Sequence, residues 1–321
     1  MKTENFQQPL NSPFDKDSTA TDVLKDISLA GKVIIITGGH SGLGLESTRA
    51  FAAADARVIV GARNIIAARE AVKDIPGVEV YALDLSDLSS VAHFAAGVMK
   101  MHPHIDILMN NAGIMACPLE RLGSNNLESQ FAINHLGHFV LVNRLWPVLK
   151  GGSRVVVTSS AGHHLSDIRW NDINFNEGYD KWLAYGQSKT ANILFSAHLD
   201  YLGKADGIRS FSLHPGKIFT PLQRHLTIEE MIDAQWLDKD GLPADPTFKT
   251  PAQGAATQVW ASTTPLLNGM GGLYCEDCNI ADITHQASFV GVRDYAIDPA
   301  KAARLWELSL KLTGITHFDK N

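Results

Sequence analysis

A tyrosine and a lysine four residues apart, Tyr185 and Lys189 in the run YGQSK, are the residues best suited to chemistry in this chain. On a helix that spacing places both side chains on one face, a turn apart. A phenol with an ordinary pKa of ~10 is idle as an acid or base near neutrality, and a neighbouring cation favours its ionised form. Such a pair can give a proton to an alkoxide or take one from an alcohol. Upstream, Ser159 and Ser160 close the β-branched run Arg154-Val-Val-Val-Thr158. A hydroxyl there can donate to an oxygen that develops charge. An isolated YxxxK is more commonly a helix-surface pair; its position after a strand ending in two serines favours the catalytic reading.

A second signal lies near the start of the chain. The run Val33-Ile-Ile-Ile-Thr37 leads directly into Gly38-Gly-His40-Ser41-Gly42-Leu43-Gly44 and then into a helical pattern. Glycines allow the tight turn and let backbone N–H groups approach a pyrophosphate at the helix N-terminus, where the helix dipole favours negative charge. The expected ligand is a dinucleotide, although TGxxxGxG departs from the GxGxxG spacing. His40 and Ser41 either contact phosphate oxygens or fill exposed positions in the turn. After the second apolar run, Gly61-Ala62-Arg63-Asn64 offers no carboxylate for a ribose 2′-hydroxyl. Arg63 offers a planar, permanently charged fork suited to a 2′-phosphate, so the expected cofactor is NADP(H); the alternative is a solvated arginine at a strand end.

The elements that must hold these groups are legible as alternating patterns. Short aliphatic runs at 33–37, 57–61, 78–82, 105–110, 154–159 and 208–214 read as buried strands. Helical patterns fall at 42–54, 65–74, 87–101, 126–149 and 179–203, with a further strand at 273–275 and a closing helix at 299–312. The alternation predicts an α/β fold, a single Rossmann-type doubly wound parallel β-sheet of about seven strands with helices on both faces. Residues 1–30 read as a polar arm and 31–321 as the domain.

Of 321 residues, 45% are hydrophobic and 19% charged, enough apolar content for a sizeable core. The 28 Lys and Arg against 34 Asp and Glu give a net charge of −6 with no basic block, which argues against a nucleic-acid partner. Cys117, Cys275 and Cys278 are too few for a disulfide framework and fit a reducing compartment. The CxxC at Cys275 follows a glycine-rich turn and is read as incidental, with no metal site. No run approaches the ~18 apolar residues of a membrane span, so no membrane anchor and a cytoplasmic location are expected.

Asn110-Asn111-Ala112-Gly113, Asn134, Ser160 and Tyr185-Gly-Gln-Ser-Lys189, together with TGxxxGxG, resemble the short-chain dehydrogenase/reductase (SDR) family over residues 31–272. The runs Ser159-Ser-Ala-Gly-His-His164, Asp172-Ile-Asn-Phe175, Ala191-Asn-Ile-Leu-Phe195 and Leu213-His-Pro-Gly216 are similar to its retinol-dehydrogenase-like branch. The resemblance implies Ser160 rather than Ser159 as the catalytic serine, with Tyr185, Lys189 and an Asn134 that positions a water on Lys189. It also implies cofactor contacts from Gly38, His40, Ser41, Gly42, Leu43, Gly44 and Arg63, with Asp84 and Leu85 at the adenine. Asn110, Asn111, Ala112 and Gly113 would lie at the adenosine ribose, and Tyr185, Lys189, Pro215, Gly216, Ile218 and Thr220 along the nicotinamide and pyrophosphate.

Residues 217–250 diverge. A capping-box pattern, Thr227 with Glu230, opens a short helix there, and the segment reads either as a lid or as a fixed flap. Phe219, Leu222, Leu226, Met231 and Trp236 suggest a lipophilic or aromatic small-molecule substrate. His163 and His164 either border the same pocket or are structural. The leading expectation is an NADP(H)-dependent oxidoreductase interconverting a carbonyl and an alcohol. The alternatives are a non-catalytic NADP(H)-binding regulator on the same fold and an SDR epimerase or dehydratase, with a monomer or a homodimer equally open.

Overall fold

Uninterrupted β-branched runs become strands because both of their faces can be buried. The computed structural model describes residues 7–286 and 288–316 and joins eight such strands in one sheet. In chain order they are β1 (Val33–Thr37), β2 (Arg57–Ala62), β3 (Val78–Ala82), β4 (Ile107–Asn110), β5 (Arg154–Thr158), β6 (Arg209–His214), β7 (Leu273–Glu276) and β8 (Asn279–Ile280). Across the sheet the order is β3-β2-β1-β4-β5-β6-β7-β8. All neighbours are parallel except β8, which returns antiparallel to β7. The winding direction reverses between β1 and β4, where doubly wound sheets open a crevice at the strands' carboxyl ends.

The helices are α1 (Ala20–Leu24), α2 (Gly42–Ala53), α3 (Ile65–Val72), α4 (Leu88–Met101), α5 (Gly137–Leu149), α6 (Lys181–Gly203), α7 (Ile228–Asp233), α8 (Pro251–Thr263) and α9 (Pro299–Thr313). Strand side chains alternate between faces. Ile34, Ile36, Val58 and Val60 meet Phe51 of α2 and Trp260 of α8 on one face. Ile35 and Ile59 belong to the opposite layer, with Phe94 of α4, Phe139 of α5, Phe195 of α6 and Trp306 of α9.

Three elements differ from the sequence reading. Helix α8 was not among the expected elements, yet Thr250 caps it with a reciprocal Gln253 bond and Pro251 opens it, a standard helix start. The helix expected over 126–149 begins late, at Ser129: Leu127–Glu128 pairs with Arg121–Leu122, and a helical turn at Ser129–Phe131 runs through a π turn at Ala132–Leu136 into α5. The polar arm is packed on the body. Ala20, Val23, Leu24 and Leu29 enter the first core layer, and the Gln7 amide donates to the carbonyls of Tyr274 and Ala281 at 2.7 Å each. No helix among the described residues is long and apolar enough to cross a membrane.

Candidate active site

Strand β5 carries Ser159 and Ser160 to the carboxyl edge of the sheet, and α6 brings Tyr185 and Lys189 against them. Asp180 starts α6 by accepting from the N–H groups of Trp182 and Leu183, both at 2.8 Å. Ser159 Oγ donates to the Lys189 carbonyl at 2.7 Å and so braces α6. Ser160 lines the cleft beside Tyr185 and accepts from Gly162 N–H at 3.0 Å. Gly162 must be small, since a Cβ there would lie 2.7 Å from Tyr185 Cε1.

Tyr185 and Lys189 are each only 4% exposed, which decides their electrostatics. Burial pushes the phenol up to about 12, with the Ser160 hydroxyl pulling the other way, and pushes the ammonium down to about 8. Burial and the Ser160 hydroxyl, rather than the neighbouring cation, set the position of the Tyr185 pKa. Lys189 Nζ sits 5.5 Å from the ring centroid and donates to the Thr158 carbonyl at 3.1 Å.

Asn134 lies in the π turn, fully buried. Its Oδ1 accepts from Ile114 N–H at 2.8 Å, and its Nδ2 donates to the Ile114 carbonyl and to Ser188 Oγ, each at 2.9 Å. Ser188 Oγ in turn donates to the Tyr185 carbonyl at 2.7 Å. These three bonds position the Ile114 loop against α6.

The cleft has a volume of about 930 Å³ and runs along the carboxyl ends of the strands. Every residue expected on the cofactor side lines it except Asn110, which is buried at the end of β4. The glycine turn is built for close approach. Gly38 and Gly42 have φ of +68° and +50°, and a Cβ on Gly44 would collide with the Gly38 carbonyl and come within 2.7 Å of Asn111 Nδ2. Ser41 precedes α2 without a side-chain capping bond, and His40 Nδ1 is buried without a partner. Arg63 lines the same wall, while the Asn64 side chain is occupied in capping α3 through Ala67 N–H at 3.1 Å. These uncapped N–H groups and the side-chain-free cradle fit a dinucleotide pyrophosphate.

At the other end the wall is aromatic. Leu222 and Trp236 line the cleft as expected; Met115, Trp182, Phe248 and Phe289 join them. Ring centroids run from Tyr185 to Trp182 at 6.4 Å, to Trp236 at 6.1 Å and to Phe248 at 5.8 Å. Phe219 stacks on Phe248 at 4.2 Å and Leu226 packs in the cluster around Tyr185, but neither these two nor Met231 lines the cleft. An ion pair between Lys181 and Glu230 ties α7 to α6. His163 and His164 lie outside the cleft. His163 Nδ1 meets the Ser160 carbonyl at 2.7 Å and its Nε2 accepts from Arg293 N–H at 3.2 Å, while His164 Nε2 meets the Gly291 carbonyl at 3.0 Å. Cys275 and Cys278 are buried free thiols.

A doubly wound sheet with a glycine cradle at its switch point, and a buried Tyr and Lys with a half-buried Ser beside it, defines an oxidoreductase built around a nicotinamide dinucleotide. The chain belongs to the short-chain dehydrogenase family, whose model matches residues 32–231. It is 39% identical over 321 aligned residues to the short-chain dehydrogenase/reductase prx1 of Penicillium rubens, covering 95% of this chain and 93% of that one. It is 34% identical to retinol dehydrogenase 14 of Homo sapiens, covering 89% of this chain and 87% of the relative. A crystal structure of a protein from Mycobacterium paratuberculosis superimposes with a TM-score of 0.71 at 35% identity, covering 94% and 99% of the two chains.

Proposed function

We propose that the protein is an NADP(H)-dependent oxidoreductase that interconverts a carbonyl and an alcohol on a lipophilic or aromatic small molecule. The observation that carries this reading is the convergence of Tyr185, Ser160 and Lys189 partway along one cleft, with Arg63 and the glycine cradle toward one end and an apolar wall toward the other. When bound, the dinucleotide supplies or accepts a hydride at the substrate carbon. Tyr185 holds the matching proton, and a phenol near 12 is fully protonated at neutral pH, the state needed to protonate an alkoxide as it forms. Ser160 donates to the same oxygen and stabilises its growing charge. Lys189 is a cation beside the ring that favours the phenolate once the proton has left, and Asn134 holds the Ile114 loop in register with Tyr185.

Met115, Trp182, Leu222, Trp236 and Phe248 support a lipophilic substrate. Arg63, with no carboxylate beside it, supports a 2′-phosphate on the cofactor. The buried free cysteines support a reducing, cytoplasmic setting, and a single domain acting as a monomer or homodimer completes the reading; light scattering separates the two. The function is tested by NADPH oxidation against panels of aldehydes, ketones and quinones, with NADP-linked oxidation of lipophilic alcohols, retinol among them, run alongside. Turnover of at least one lipophilic carbonyl or alcohol is expected. Tight NADPH binding without turnover of any of them points instead to a nucleotide-binding regulator.

A further inference from the structure

His138 is buried one turn beyond Asn134 and 1% exposed, and counting hydrogen bonds around it fixes where its proton sits. Thr37 Oγ1, at the end of β1, accepts from the N–H groups of both Asn111 and Ala112 at 2.9 Å. Those two bonds use the acceptor capacity of the hydroxyl, leaving its own hydrogen to donate. The remaining partner is His138 Nε2 at 2.9 Å, so Nε2 is the bare acceptor and the ring hydrogen lies on Nδ1. From there it donates to the Asn134 carbonyl at 3.0 Å. Burial pushes the imidazolium down to about 4, so the ring is neutral at physiological pH.

The two ring nitrogens therefore hold two different parts of the site. Through Thr37, Nε2 supports Asn111 and Ala112, which line the dinucleotide cleft. Through the Asn134 backbone, Nδ1 supports the π turn whose Asn134 side chain braces Ile114 and, via Ser188, the Tyr185 backbone. π turns recur at functional sites because they displace one residue from the regular helix; here the displaced region is held by a histidine that also holds the cofactor wall. We infer that His138 is a positioning residue that couples the dinucleotide-binding strand ends to the proton-transfer group, each through a different ring nitrogen.

The inference rests on the cleft being a dinucleotide site, and the test separates the two. The wild type is first titrated calorimetrically with NADPH and NADH; binding of neither defeats the dinucleotide reading. With binding in hand, His138→Asn and His138→Gln are compared. Asparagine keeps a donor at the δ position and loses the ε acceptor; glutamine keeps an acceptor at the ε position and loses the δ donor. A buried hydrogen bond left half-made costs about a factor of ten, so His138→Asn should raise the dinucleotide Kd about tenfold more than His138→Gln does. His138→Gln should lower kcat at saturating cofactor about tenfold more than His138→Asn does. Equal losses of both properties in both variants, or loss of neither, overturn the inference. If either variant does not fold, Thr37→Val provides the second arm. It should weaken dinucleotide binding, and His138→Leu added to it should weaken that binding no further, whereas additive losses contradict the coupling.

Discussion

The ammonium of Lys189 lies over the Tyr185 ring, 5.5 Å from its centroid, and its hydrogen bond goes to the Thr158 carbonyl at 3.1 Å. The cation is thus held by the end of β5, the strand that also delivers Ser160. Holding a cation in a buried position has a cost that is visible in pH dependence.

Burial lowers the Lys189 pKa from its usual 10.5 to about 8. Below pH 8 the lysine is protonated in both folded and unfolded chains, and the folded state bears the desolvation cost. Between about 8 and 10.5 the unfolded chain holds the proton and the folded one does not, so rising pH favours folding. Lys189→Met removes this linkage. The Tm of Lys189→Met minus that of the wild type should therefore fall as pH rises from 8 towards 10.5, measured by scanning calorimetry. A difference that stays constant over that range shows that the lysine is not desolvated.

Gly162 lies under the Tyr185 ring, and Gly162→Ala places a methyl 2.7 Å from Tyr185 Cε1 and 2.9 Å from Cδ1. The buried ring must move, at a cost of about 1–3 kcal/mol of stability, and with it the phenol relative to Ser160. A lowered Tm and a lowered kcat are expected, with the dinucleotide Kd close to that of the wild type because the cradle lies elsewhere. Unchanged kcat in this variant shows that the ring position is not critical.

What the sequence made legible is the part governed by local pattern. Strand β1 matched its expected bounds because Val33 to Thr37 is one β-branched run stopped by Gly38. That Tyr185 and Lys189 lie together was readable from spacing, since i and i+4 share a helix face, whereas the choice of Ser160 over Ser159 rested on the family resemblance. Other features depend on contacts distant in the chain. Val23, Leu24 and Leu29 are too sparse to show a pattern, yet they are buried with Trp260 in one layer. Helix α8 is rich in Ala with interspersed Gln, Ser and Thr, so its apolar stripe is weak, although Thr250, Pro251 and Gln253 mark its start. Trp182, Phe248 and Phe289 come from three separate segments and only folding brings them to the cleft. Sequence left His163 as either a pocket or a structural residue; its ring is turned to backbone groups of Ser160 and Arg293.

Arg63 lines the wall of the cleft with no carboxylate beside it, and the neighbouring Asn64 is occupied as a helix cap. A charge-assisted pair with a 2′-phosphate is worth about 1.5–3 kcal/mol, or roughly 10- to 150-fold in preference for NADPH over NADH. Arg63→Ala should erase most of that preference, and adding Ala62→Asp should turn it towards NADH by repelling the phosphate. The check is kcat/KM for both cofactors in each variant. A ratio unmoved by Arg63→Ala assigns the phosphate to another group on that wall.

The central claim, that Tyr185 carries the proton in a hydride transfer, is tested most directly by Tyr185→Phe, assayed for kcat with a substrate found in the NADPH screen and for NADPH binding by calorimetry. The substitution keeps the buried ring and removes only the hydroxyl. The account predicts a fall in kcat of ~10² or more with the NADPH Kd nearly unchanged; a variant that retains near-wild-type kcat would contradict it.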